Sequence, residues 1–171
     1  MIRRLALAGL LCLLAACATA SRLDAANDVH ALLVAIRDDD RAAFDARVDR
    51  EALKAEMTTR LAREAGRLKI EGLDLGRFGA VVAPGLANLA GDALIQPRVF
   101  RQVAEAYGYS ADKPLPGTVA IASRLKAQPD GRVCATREKD GPCLLVFTRS
   151  PEGRWRLSGF EGDLSSLKIR L

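Results

Sequence analysis

The sequence predicts an α+β fold, with N-terminal helices packed on a C-terminal four-stranded antiparallel meander. Three observations carry this. Up to about Tyr109, apolar residues recur at helical spacing. From Thr118 onward they alternate in short runs, parted by turn residues such as Pro129-Asp130-Gly131 and Ser150-Pro151-Glu152-Gly153. The 171-residue chain is about one domain long and 49% hydrophobic, enough to bury a sizeable core.

The first domain helix is expected to start near Asn27 or Asp28, either of which suits an N-cap. Val29, Leu32, Leu33 and Ile36 form its apolar stripe, with His30 beside the stripe, facing solvent or its rim. Asp38-Asp39-Asp40 ends this helix and opens the next, because carboxylates favour a helix start. A short second helix carries Phe44 and Val48. Asp49 then caps a third, whose narrow stripe is Leu53, Met57, Leu61 and Leu68, the pattern of a surface helix docking one face. Phe78 to Gly91 is free of charge and rich in Gly and Ala; Pro84 breaks it. A buried helix from Gly85 through Leu94 is expected, or else the wall of an apolar pocket. Pro97 suits the first turn of another helix and Gly108 its C-terminal cap.

Lys113-Pro114-Leu115-Pro116-Gly117 connects helices to sheet. The expected strands run from Val119 to Lys126, from about Arg132 to Arg137, from about Pro142 to Arg149, and from Arg154 to Phe160. Cys143-Leu144-Leu145-Val146-Phe147 is apolar on both faces, which predicts a central strand covered on both sides. Leu167, Ile169 and Leu171 alternate as an edge strand would.

The N-terminus reads as an address. Arg3 and Arg4 precede an apolar run from Leu5 to Ala16, a basic-then-apolar leader. The run is too short for a bilayer, which needs about 20 residues. Leu14-Ala15-Ala16-Cys17 resembles a bacterial lipobox, in which Cys17 is lipidated and becomes the first mature residue. Ala18-Thr19-Ala20 leaves an alternative open: cleavage after Ala20 would release a soluble periplasmic protein. The expected organisation is a signal peptide over 1–16, a tether over 17–26, a single α+β domain over 27–164, and a tail or edge strand over 165–171. In lipobox proteins an aspartate after the cysteine goes with inner-membrane retention; Ala18 there implies an outer-membrane anchor facing the periplasm.

Cys12 leaves with the leader, so beyond Cys17 only Cys134 and Cys143 remain. They flank a segment containing Asp140-Gly141, a hairpin-turn signal that brings paired strands together. A disulfide between them suits an oxidising compartment. No metal is expected, because His30 is the only histidine and no D-x-D-x-D-G calcium loop occurs. No C-x-x-C redox pair is present. The chain has 26 basic and 21 acidic residues; without Arg3 and Arg4 the net charge falls to +3. These charges are interspersed and aromatics are only 5%, which argues against a nucleic-acid groove.

Three stretches, in order, resemble the bacterial domain of unknown function 2939. These are Ala35-Ile36-Arg37-Asp38-Asp39-Asp40-Arg41-Ala42-Ala43-Phe44 with Val48-Asp49 and Ala52-Leu53-Lys54; Leu94-Ile95-Gln96-Pro97-Arg98-Val99-Phe100; and Leu144–Arg149 with Trp155-Arg156-Leu157. The resemblance extends over roughly Val29 to Leu164. It departs at Arg50, where an aromatic is expected, and at Lys54, where arginine is. It implies a fold and no reaction. The layout also resembles cystatin-like and nuclear-transport-factor-like cones, which often hold an apolar pocket between sheet and helices, but such folds host many functions.

Catalytic patterns are missing. There is no G-x-S-x-G elbow and no phosphate-binding glycine loop, since Gly72, Gly76 and Gly79 are wrongly spaced. Glu161 and Asp163 are a candidate carboxylate pair, more simply read as a solvated turn. Asp49 beside Lys54 reads as a cap with a nearby charge. The expectation is a non-enzymatic, cofactor-free exported lipoprotein. It would bind the membrane through lipid on Cys17 and an envelope protein or small apolar ligand through its domain. The alternatives are an enzyme with a carboxylate-lined pocket and a purely structural envelope protein.

Overall fold

The computed structural model of the protein describes residues 2–67, 91–106, 109–110, 112–138 and 141–161. For 2–18, 61, 62, 64–67 and 106 it describes backbone only. The helices are α1 (Ile2–Arg37), α2 (Arg41–Asp45), α3 (Arg50–Arg67), α4 (Pro97–Ala106) and α5 (Thr118–Ala122). The strands are β1 (Leu125–Ala127), β2 (Val133–Thr136), β3 (Cys143–Arg149) and β4 (Trp155–Phe160). They form one antiparallel meander in the order β1-β2-β3-β4, so the chain has the predicted α+β class.

The sheet alternates as a half-covered sheet should. Val133, Phe147 and Leu157 lie opposite one another across β2, β3 and β4, and all three are buried in the core. Leu125 of β1 pairs with Ala135 on the same face. In β3, Val146 and Phe147 are both buried, so this interior strand is covered on both sides at that point, although Leu145 is exposed. Register shifts at Ala135/Thr136 and Val146/Phe147 mark bulges, which bend a sheet and raise its twist.

Helix α1 supplies much of the opposing layer. Ala25, Ala26, Leu32, Ala35 and Ile36 are buried in the core that it shares with the sheet and the other helices, with Val29 and Leu33 packed at the margin. Phe44 of α2 is fully buried and meets Phe100 of α4 edge-on, with centroids 5.2 Å apart. That geometry matches the ring quadrupoles.

One expectation about a helix start is corrected. Helix α1 runs without a break through the residues read as tether and through Asn27 and Asp28, which therefore cap nothing. Ala25 and Ala26 are already in the core, so the packed domain begins before residue 27. The predicted first strand is also revised. Thr118–Ala122 is helical, with Ile121 buried and Val119 78% exposed, and only Leu125–Ala127 pairs as β1. A five-residue apolar run fits either period, and the position of Ile121 against α1 decides it.

The capping predictions hold at Asp40 and Asp49. Asp40 Oδ1 accepts from the Ala43 amide at 3.0 Å, and Asp49 Oδ1 from the Ala52 amide at 3.0 Å. Asp39 takes a left-handed φ of 55°, and the Asp40 amide donates back to the Ala35 carbonyl at 2.9 Å. This is the six-to-one bond of a Schellman ending. Val48 falls after α2 rather than within it and forms a parallel bridge with Leu157. Helix α4 starts at Pro97 as predicted. Residues 91–94 are helical, but Ile95 is the large apolar residue buried there and Leu94 is 47% exposed. Leu68, the segment 78–90, Gly108, Asp140, Asp163 and the tail from 165 lie outside the described residues.

Candidate functional site

The C-terminal half of α1 is fastened to the start of β4 by two carboxylates one turn apart. Spacing of four residues puts Asp24 and Asp28 on one helix face. Asp28 Oδ2 accepts from the Trp155 amide at 2.8 Å, and Asp24 Oδ2 accepts from the Trp155 indole Nε1 at 3.0 Å. Arg149, at the end of β3, places a guanidinium nitrogen 3.1 Å from Asp24. Trp155 itself is 3% exposed, and the two carboxylates satisfy both of its N–H donors. No local pattern around residue 155 pointed to these partners, over 125 residues away. The one signal in the sequence is the Asp24/Asp28 spacing, and Asp24 falls in the stretch read as a tether.

Further along α1 a shallow groove of about 270 Å³ opens against α2. His30, Ala31, Val34, Ala35 and Asp38 line one side, and Asp40, Ala43 and Arg47 the other. His30 is thus half-buried on the rim of the stripe. Arg47 Nη1 donates to the Ala43 carbonyl at 3.2 Å, while its buried Nε lacks a hydrogen bond among the described residues; Asp28 Oδ1 stands 3.9 Å from it. The Arg37 guanidinium hydrogen-bonds Asp38 at 2.7 Å and holds its carboxyl below the ordinary range. The lining mixes small apolar residues with both charge signs.

A second charged cluster ties α3 to residues 91–95. Lys54 Nζ lies 3.0 Å from Asp92, and Arg50 lies 3.1 Å from Asp45 and donates to the Ile95 carbonyl. Lys54, by hydrogen bond and charge, lowers the Asp92 pKa. A Cβ on Gly91 would come within 2.7 Å of Lys54 Cγ, so the glycine lets the lysine stem cross to Asp92. Lys54 therefore serves Asp92 and not Asp49, whose carboxylate is committed to its cap.

Cys134 and Cys143 are joined by a disulfide between β2 and β3, with Cα atoms 5.6 Å apart. Cys134 is fully buried. Cys17 lies within α1, and its side chain is outside the described atoms. Glu161 is exposed, and its proposed partner Asp163 is not described. Among the described residues, no three or more His, Cys, Asp or Glu side chains gather as a metal site, and no helix is long and apolar enough to cross a membrane.

The fold and this surface define a small α+β domain led by one long helix. The chain belongs to the family described as "Protein of unknown function (DUF2939)", whose model matches residues 10–103. That match takes in α1 to the greater part of α4 and ends before the sheet. It starts earlier than the predicted resemblance, and the hairpin residues Leu144–Arg149 and Trp155–Leu157 fall outside it. No curated protein and no solved structure matches the chain.

Proposed function

We propose that this protein is exported, anchored by lipid on Cys17, and acts in the cell envelope as a non-enzymatic binding module. The observation that carries the reading is Leu14-Ala15-Ala16-Cys17 at the end of a basic-then-apolar leader. The Cys134–Cys143 disulfide supports it twice. It suits an oxidising compartment, and it leaves Cys17 as the odd cysteine of the mature chain. The binding surface is the α1–α2 groove. Its mixed lining favours a peptide segment of an envelope protein over a small apolar ligand. Among the described residues, the candidate catalytic carboxylates are a helix cap at Asp49 and an exposed loop residue at Glu161.

The test is acylation and fractionation of wild type and Cys17→Ser. Wild type should incorporate labelled palmitate, start at Cys17 by mass, and partition with membranes. The variant should do none of these. A mature chain that starts at Ser21 and stays soluble would replace this reading with simple periplasmic secretion.

A further inference from the structure

Resting on the lipid-anchor reading, we propose that α1 is a strut that holds the domain in a fixed pose on the bilayer, with the β3–β4 turn facing the lipid. The length of chain between anchor and domain commits the occupant of this surface. Asp24 comes only seven positions after Cys17, and the whole stretch is helical. At 1.5 Å per residue this is about 10 Å, roughly two turns. Asp24 and Asp28 then lock the helix to Trp155, and Ala25 and Ala26 are already buried. No flexible backbone linker intervenes between Cys17 and the domain, so the domain is held close to the bilayer surface.

The surface nearest the anchor is defined by the same contacts. Arg149 reaches Asp24, which brings the β3–β4 turn, residues 150–154, beside the part of the helix closest to Cys17 that packs on the sheet. Pro151 and Arg154 are exposed there, as is Leu23 on α1 at 43%. Glu152 shares the turn, so the short helical link, rather than net charge, selects the membrane. In the meander, the β1–β2 turn lies at this same end and the β2–β3 connection at the opposite one. The groove residues 30–47 follow further along α1. Measured along α1, Asp38 stands about 30 Å from Cys17, so the strut keeps the groove at the end of the helix away from the anchor.

The experiment uses the lipidated full chain in vesicles of phosphatidylethanolamine and phosphatidylglycerol containing a headgroup nitroxide. A fluorophore is placed at Arg154→Cys or at Glu138→Cys, an exposed site at the opposite end. The label at 154 should be quenched several-fold more strongly than that at 138. A flexible Gly/Ser insert of about eight residues after Ala20 should erase the difference while leaving vesicle binding intact. Equal quenching of the two sites in lipidated protein without the insert overturns the strut alone. Protein that carries no lipid by mass, and does not float with vesicles, overturns the anchor and the strut with it.

Discussion

Removing the Asp28 carboxylate should destabilise the protein by about 2 kcal/mol, because it leaves a buried backbone donor without an acceptor. The donor is the Trp155 amide, 2.8 Å from Asp28 Oδ2, in a residue that is 3% exposed. In Asp28→Ala the Trp155 amide loses its acceptor, and Arg47 also loses the carboxylate 3.9 Å from its Nε. Asp28→Asn keeps an oxygen acceptor at the same position and should lose about half as much, since only the charge-assisted part goes. The assay is urea unfolding followed by fluorescence of Trp155, the only tryptophan. With a slope of about 2 kcal/mol per molar, usual for a small domain, Asp28→Ala should lower the midpoint by about 1 M. A double-mutant cycle with Asp24→Ala and Trp155→Phe, followed by far-ultraviolet circular dichroism because the second variant lacks the tryptophan, then isolates the indole bond, with an expected coupling of about 1 kcal/mol. A midpoint for Asp28→Ala within experimental error of wild type would refute the clamp.

Other outcomes follow from the same reasoning. Replacing both Cys134 and Cys143 by serine should cost about 2.5 kcal/mol, the loop-closure entropy for a separation of 9 residues; mass after mild reduction should reveal the same single bridge. Asp39→Gly should raise stability by about 1 kcal/mol, because the left-handed φ of 55° suits glycine better than aspartate; a lower thermal midpoint would contradict this. Asp49→Ala should cost about 1 kcal/mol through loss of the α3 cap, read as a reduced urea midpoint. The Asp92 pKa is lowered by Lys54, so this pair's contribution is full above the ordinary carboxylate range and disappears as pH falls through the lowered value. Wild type should therefore exceed Lys54→Met in stability at neutral pH, with the gap closing in acid; a gap constant with pH would show the lysine acts by packing alone.

The sheet was largely legible because its register rests on local signals. Turn residues bracket β2, β3 and β4, and alternation within each strand puts Val133, Phe147 and Leu157 on one face. Helix caps at Asp40 and Asp49 were legible for the same reason: the bond closes within three residues. The errors lie where distant contacts decide. Residues 118–122 carry an apolar run compatible with strand, yet Ile121 packs as a helical residue in the shared core. Asn27 and Asp28 have good capping chemistry, but Asp28 is drawn to Trp155 and the helix simply continues. The groove was not legible at all. It joins residues of α1 and α2 that meet only because the Asp38-Asp39-Asp40 turn folds one helix back on the other.

The bridge between Val48 and Leu157 has a consequence for contact between copies of the domain. The Asp49 amide donates to the Leu157 carbonyl at 2.8 Å, and the Leu157 amide to the Arg47 carbonyl at 2.9 Å. The outer side of β4 is thereby occupied at its middle by the protein's own chain. At the other margin β1 pairs over only three residues. A sheet with one margin plugged and the other clipped short is a poor template for an incoming strand. Copies that collide at high local concentration therefore find little backbone to zip onto.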